Sequence, residues 1–165
     1  MNKILFSFVF ILIQLPNFAQ DNGDKLIDIG YEKYLDEDYK NAIVYFDSAL
    51  ILNTSNAEIY FLRGICYSSL SEKKKAIHDL KKAVELRSDY YEAHYEMGYI
   101  FLIDQNPPMA IEQFDKAIEL NADYAEAYVS RGTAKCMMDD VTGANQDWDK
   151  AKKLGVGYIE YMICE

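Results

Sequence analysis

Residues 62–84 read LRGICYSSLSEKKKAIHDLKKAV, and residues 96–118 read EMGYIFLIDQNPPMAIEQFDKAI. Laid over each other with a shift of 34, the two stretches coincide at Gly64 and Gly98, Ala76 and Ala110, Leu80 and Phe114, and Ala83 and Ala117. The same shift carries the glycine back to Gly30 and on to Gly132, one alanine to Ala42 and Ala144, and the other to Ala49 and Ala151. A bulky apolar residue stands between the alanines every time, as Phe46, Leu80, Phe114 or Trp148. Four registers kept over four copies are a structural period, and they decide the fold.

Each copy carries two stretches with helical spacing of apolar residues. In the second copy the first runs from Glu58 to Leu70, with Tyr60, Gly64 and Tyr67 on one stripe. The second runs from Lys74 to Leu86, with Ile77, Leu80, Ala83, Val84 and Leu86 expected to face inward. Polar turns separate them at residues 36–38, 71–73, 105–108 and 139–140, and Pro107 and Pro108 suit a helix start, where a missing amide hydrogen costs nothing. Glycine inside a helix costs about 1 kcal/mol against alanine, so a repeated one marks a place where two helices approach too closely for a side chain.

This pattern resembles the tetratricopeptide repeat, whose 34-residue signature it follows. The resemblance implies an all-α, right-handed α-solenoid of four helix-turn-helix repeats at 23–56, 57–90, 91–124 and 125–158, after a leader at 20–22. It departs from the family at the repeat end, where the usual proline is Thr54, Ser88, Ala122 or Val156. Capping pairs offer a substitute stop: Ser55 with Glu58, Asp89 with Glu92 and Asp123 with Glu126, preceded by Asp21 with Asp24. Gly157 with Glu160 repeats the spacing, so a terminal helix is expected to begin at 158 and cover the open apolar end of the array through residue 165.

Ahead of the repeats, residues 1–19 have Lys3 followed by an apolar run too short for a hydrocarbon core that needs about 20 residues. Charged, apolar and polar parts in that order read as a secretory signal with cleavage after Ala19, and imply export to a periplasm or beyond the cell. Loss of Lys3 takes the formal net charge from -10 to -11. So acidic a protein is repelled by phosphate backbones, which argues against nucleic acid as a partner.

The chemistry-bearing residues fall into packing or solvent positions. Cys66 shares its register with Ile100 and Ala134 and reads as a small buried residue; His94 shares its register with Leu26, Tyr60 and Tyr128, a packing slot; His78 falls in an outward, variable register. No metal site, cofactor, small-molecule substrate or catalytic set is expected, because the two histidines match no ligand spacing and no nucleophile meets a base. Lysines 73–75 and 81–82 read as a solvated face. Cys66 and Cys136 lie two repeats apart, and Cys136 and Cys164 are staggered along successive first helices, so neither pair is expected to bridge.

What packing leaves over is a second apolar stripe on each first helix: Ile27, Tyr31 and Tyr34; Phe61 and Ile65; Tyr95, Tyr99 and Leu102; and Val129 with Thr133 and Cys136. The resemblance places these on a concave groove that holds peptides or partner segments. Some members of the family grip a C-terminal carboxylate there with lysine, asparagine and arginine, but Ile27, Tyr31, Leu62, Glu92 and Glu96 occupy those places here, and the clamp is absent. Asp24, Glu58, Glu92 and Glu126 edge the groove with negative charge. The expected function is a non-catalytic protein–protein interaction module for a segment with apolar anchors and net positive charge. The alternative is a self-assembling structural protein whose groove or open end takes a second copy of the chain.

Overall fold

The computed structural model describes residues 15–157 and Cys164, with side chains from Asn22 onward. Eight helices account for it: α1 Leu15–Leu35, α2 Tyr39–Leu52, α3 Ala57–Ser69, α4 Lys73–Leu86, α5 Tyr91–Ile103, α6 Pro107–Leu120, α7 Ala125–Cys136 and α8 Val141–Lys153. Among the described residues there is no strand. Helices pair as antiparallel hairpins, α1 with α2 through α7 with α8, and each hairpin packs on the next.

The glycine register explains the closeness within each hairpin. A Cβ built on Gly30 would lie 2.7 Å from the Phe46 ring, on Gly64 3.1 Å from Leu80, on Gly98 2.6 Å from Phe114 and on Gly132 2.5 Å from Trp148. The alanine registers seat the same crossing from the second helix. Ala42, Ala76, Ala110 and Ala144, with Ala49, Ala83, Ala117 and Ala151, are all fully buried. Leu86, expected to face inward, is instead exposed at the last turn of α4.

The turns inside the hairpins share one backbone device. Glu37, Ser71, Gln105 and Asp139, each 34 apart, are left-handed, with φ of 59°, 61°, 55° and 62°. The following amide then reaches back to close the helix: Asp38 N–H bonds Lys33 O at 2.9 Å, Glu72 bonds Tyr67 at 2.8 Å, Asn106 bonds Phe101 at 2.9 Å and Asp140 bonds Lys135 at 3.0 Å. Between hairpins the second helices stop without proline. Asn53, Arg87 and Asn121 turn extended, and the Asn53 and Asn121 side chains accept from the amides of Ser55 and Asp123.

Three expectations need correction. The N-caps lie one residue later than the capping pairs placed them, at Asn56, Tyr90 and Tyr124, and only the Asn56 side chain caps. Glu58, Glu92 and Glu126 remain in the first turn, where the helix dipole favours a negative charge. Asp21 and Asp24 begin no helix, because α1 runs unbroken from Leu15; Gly23 is therefore helical. Residues 1–14 and 158–163, with the rest of the signal and the start of the terminal helix, lie outside the described residues.

The third correction concerns cysteine. Cys136 and Cys164 form a disulfide, with Cα atoms 5.5 Å apart. Cys164 is not helical, whereas the expected stagger sets it on a further first helix. It packs beside Leu154 and Val156 against the last cluster, which holds Tyr128, Val129 and Trp148.

Candidate partner-binding groove

Each second helix packs on the first helix of the next hairpin, and successive first helices approach one another more closely, α1 to α3, α3 to α5 and α5 to α7, than successive second helices do. The first helices therefore line the inner, tighter face of the array. The apolar stripe lies on these helices, and burial divides it.

Tyr31 and Tyr99 stay 45% and 44% exposed, large for tyrosines on a face bordered by other helices. Tyr31 stacks on Tyr34 with centroids 5.9 Å apart, and Tyr34 leans on Tyr39 at the same distance. Ile65 is half-buried on α3 between them. Phe61 is held against Tyr90 at 4.7 Å, and Tyr95 sits 5.1 Å from Tyr124 and 5.7 Å from Phe114, with its hydroxyl accepting from Ser130 Oγ at 3.5 Å. Both rings are half-buried. Ile27 and Leu102 are half-buried partners of the core around Phe46 and Phe114.

Val129 offers no surface and leaves the stripe. It is buried in the last cluster, and its carbonyl accepts the Trp148 Nε1–H at 3.2 Å. Of the rim acids, Asp24, Glu58 and Glu126 are exposed and Glu92 is half-buried.

Glu96 is the unusual member. It is half-buried in the middle of α5, and among the described residues no hydrogen bond or ion pair reaches its carboxylate. Burial raises its pKa from the ordinary 4.5 to about 7. Its charge, after burial itself, helps push the hydroxyl of Tyr34 on α1 upward, and it acts in the same direction on Tyr95 and on Tyr124 ahead of α7. One carboxylate is thus felt from three hairpins.

Two ionic clamps escaped the reading of the sequence. Arg63 donates from Nε and Nη2 to both oxygens of Asp79, at 2.6 and 2.9 Å, and from Nη1 to Asp47 at 2.5 Å. Arg131 does the same with Asp147, at 2.8 and 2.5 Å, and with Asp115 at 2.6 Å, and Lys135 adds a bond to Asp147 at 2.8 Å. Asp79 and Asp147 are 2% and 4% exposed. The signal was there: the arginines are 68 apart, two periods, and each has an aspartate 16 residues before and 16 after.

The remaining candidates fall where their registers put them. Cys66 is fully buried, with its thiol raised by burial to about 12. His94 Nδ1 shares a hydrogen bond with Gln113 Oε1 at 3.0 Å, and His78 is exposed. Among the lysines, Lys73 bonds Asp104, Lys75 pairs with Glu72 at 2.5 Å and Lys82 with Glu85 at 2.9 Å. Among the described residues no three His, Cys, Asp or Glu side chains gather as a metal set.

Hairpins stacked in one direction with a glycine crossing in each make an all-α solenoid with the fold of tetratricopeptide-repeat proteins. Residues 57–90 and 91–124 each match the family model described as tetratricopeptide repeat. Among curated proteins, DnaJ homolog subfamily C member 3 of Gallus gallus is 38% identical over 81 residues, which is 49% of this chain and 16% of that protein. The chain thus spans about a sixth of the relative's length. Among solved structures, MamA superposes with a TM-score of 0.76 at 26% identity, over 89% of this chain and 84% of its own. YrrB, described as a TPR protein with an unusual peptide-binding site, superposes at 0.71 with 23% identity, over 94% and 84%. The likeness to YrrB is one of fold.

Proposed function

We propose that the protein is an exported, non-catalytic adaptor that binds a partner segment along the inner face of its first helices. The observation that carries this is the pair of exposed tyrosines, Tyr31 and Tyr99, on a face where every other ring is packed. Aromatic side chains left uncovered on a rigid scaffold are characteristic of binding anchors. With Tyr34, Ile65 and Glu96 they make a strip that is apolar along its floor and acidic at its rim, which favours a segment with apolar anchors and net positive charge. The peptide-binding site in the description of YrrB supports the same use of the fold. Export is supported by the charged and apolar order of residues 1–19 and by the Cys136–Cys164 bridge, a bond that persists in oxidising compartments.

Capture from the native envelope with the mature protein supplies the partner, and association and dissociation rates then test the groove. Tyr99→Ala is expected to weaken binding by about 1 to 2 kcal/mol with helicity unchanged. Glu96→Lys is expected to slow association and flatten its salt dependence. If both bind as the parent does while Lys81→Glu abolishes binding, the partner docks on the outer helices and the groove assignment is wrong. A stable dimer at micromolar concentration would replace the adaptor by self-assembly. Intact mass of the exported protein checks the signal, and a retained Met1 would end that part of the proposal.

A further inference from the structure

Within this groove reading, on which the inference rests, we infer that Glu96 receives the cationic head of one lysine or arginine of the bound segment, with the rings of Tyr34, Tyr95 and Tyr99 around it. The fold itself does not call for a carboxylate there. The same register is Asp28 in the first copy, Leu62 in the second and Ser130 in the fourth, and Leu62 is simply buried in the core. Elsewhere the chain treats a sequestered acid in one way: Asp79 and Asp147 are each gripped by an arginine through two bonds. Glu96 is half-buried without such a partner among the described residues, and burial holds its pKa above the ordinary value. A desolvated carboxylate that is unpaired is costly, and the cost is relieved by a cation.

Aromatic rings complete the receptor. Tyr95 and Tyr99 flank Glu96 on α5, and Tyr34 comes from α1 across the face, close enough for the Glu96 charge to act on its hydroxyl. Ammonium and guanidinium groups are attracted to ring faces, and a carboxylate among rings combines that attraction with an ion pair. The titratable and polar groups that act on these rings beside Glu96 are Tyr31, Tyr39 and the buried Cys66 on Tyr34, Ser130, Glu126 and Tyr99 on Tyr95, and Glu126 and Glu92 on Tyr124. Tyr34, Tyr95, Tyr124 and the Cys66 thiol are all raised, the last to about 12, so they keep their protons at neutral pH, whereas Glu96 at about 7 changes charge there. A proton and the ligand's cation compete for one carboxylate.

The experiment uses the full mature protein, labelled for NMR, and two probes: acetyl-ALKLYA-amide and the same peptide with its lysine acetylated. The lysine peptide is expected to shift the Glu96 side-chain carboxyl and the Tyr34 and Tyr99 rings, to bind about tenfold more tightly than its acetylated twin at pH 8, and to lose that advantage at pH 5.5. Glu96→Gln is expected to erase the tenfold difference, and Glu96→Leu, which copies the Leu62 register, provides a second variant that keeps the helix. Equal binding of both peptides with Tyr31 and Tyr99 shifted would overturn the cation receptor and leave the groove standing. Failure of both peptides to shift Tyr31 or Tyr99 would overturn the groove, and this inference with it.

Discussion

The ring of Phe114 occupies the place where a side chain on Gly98 would stand, its Cε1 only 2.6 Å from the position of an added Cβ. No real Cβ sits so near an aromatic carbon, so even alanine at 98 forces α5 and α6 apart. Gly23, outside the register, has only Leu52 Cδ1 at 4.0 Å. Gly98→Leu is therefore expected to cost 2 kcal/mol or more, on the order of the worst overpacking, and Gly23→Leu far less. Urea midpoints measure both, and similar midpoints would show that the register is no packing contact. Gly64→Ala should fall between them, because Leu80 leaves 3.1 Å where Phe114 leaves 2.6 Å.

Non-glycine residues hold all four left-handed turn positions, and each bears the steric cost of a Cβ there. Ser71 has neither a side-chain bond nor burial to offset it, being exposed at φ 61°. Ser71→Gly is expected to stabilise the protein by about 0.5 to 1 kcal/mol, the relief of strain exceeding the entropy glycine adds to the unfolded chain. Thermal unfolding checks it. A lower melting temperature would mean that the Ser71 side chain contributes something the geometry does not reveal.

The third copy shows how the Arg63 clamp can be dispensed with. Where the second copy has Arg63 and Asp79, the third has Met97 and Gln113, and both sets are packed. Arg63→Met alone leaves the Asp79 carboxylate buried without its partner and is expected to cost about 3 to 5 kcal/mol. Adding Asp79→Gln should recover most of that, since an amide can be satisfied where a lone carboxylate cannot. A double variant as unstable as the single would show that the clamp itself, and not the orphaned charge, sets the stability.

These pairs also show what the sequence could and could not say. The hairpins were legible because Gly30 through Gly132 and the two alanine registers mark helix crossings, and a crossing constrains side-chain size wherever it recurs. Helix starts were misplaced by one residue because Ser55, Asp89 and Asp123 have the chemistry of caps, while the chain caps with Asn56 or turns at Tyr90 and Tyr124. Burial within the stripe was not legible, since spacing gives a face but not its neighbours: Val129 is covered by Trp148, whereas Tyr99 in the previous copy has no ring over it. The Cys136–Cys164 bridge was not legible, since the stagger assumes that Cys164 continues the register of the repeats, whereas its Cα lies 5.5 Å from that of Cys136.

The raised pKa of Glu96 makes stability depend on pH in a direction opposite to that of a salt-bridged acid. Its folded value of about 7 exceeds the 4.5 of an exposed glutamate, so the folded state binds the proton more tightly than the unfolded chain does. The favourable contribution is fully present below about pH 4.5 and is lost as pH rises through about 7. Glu96→Gln keeps the shape and removes the charge, and its advantage over the parent should therefore be under about 1 kcal/mol at pH 5 and grow to about 1 to 3 kcal/mol at pH 8. Other acids titrate in both proteins and cancel in the difference. Chemical denaturation of the two proteins at both pH values measures it directly. An advantage that stays constant between pH 5 and 8 would mean that the Glu96 carboxylate keeps its water in the folded protein, and the case for a cation held there would lose its desolvated partner.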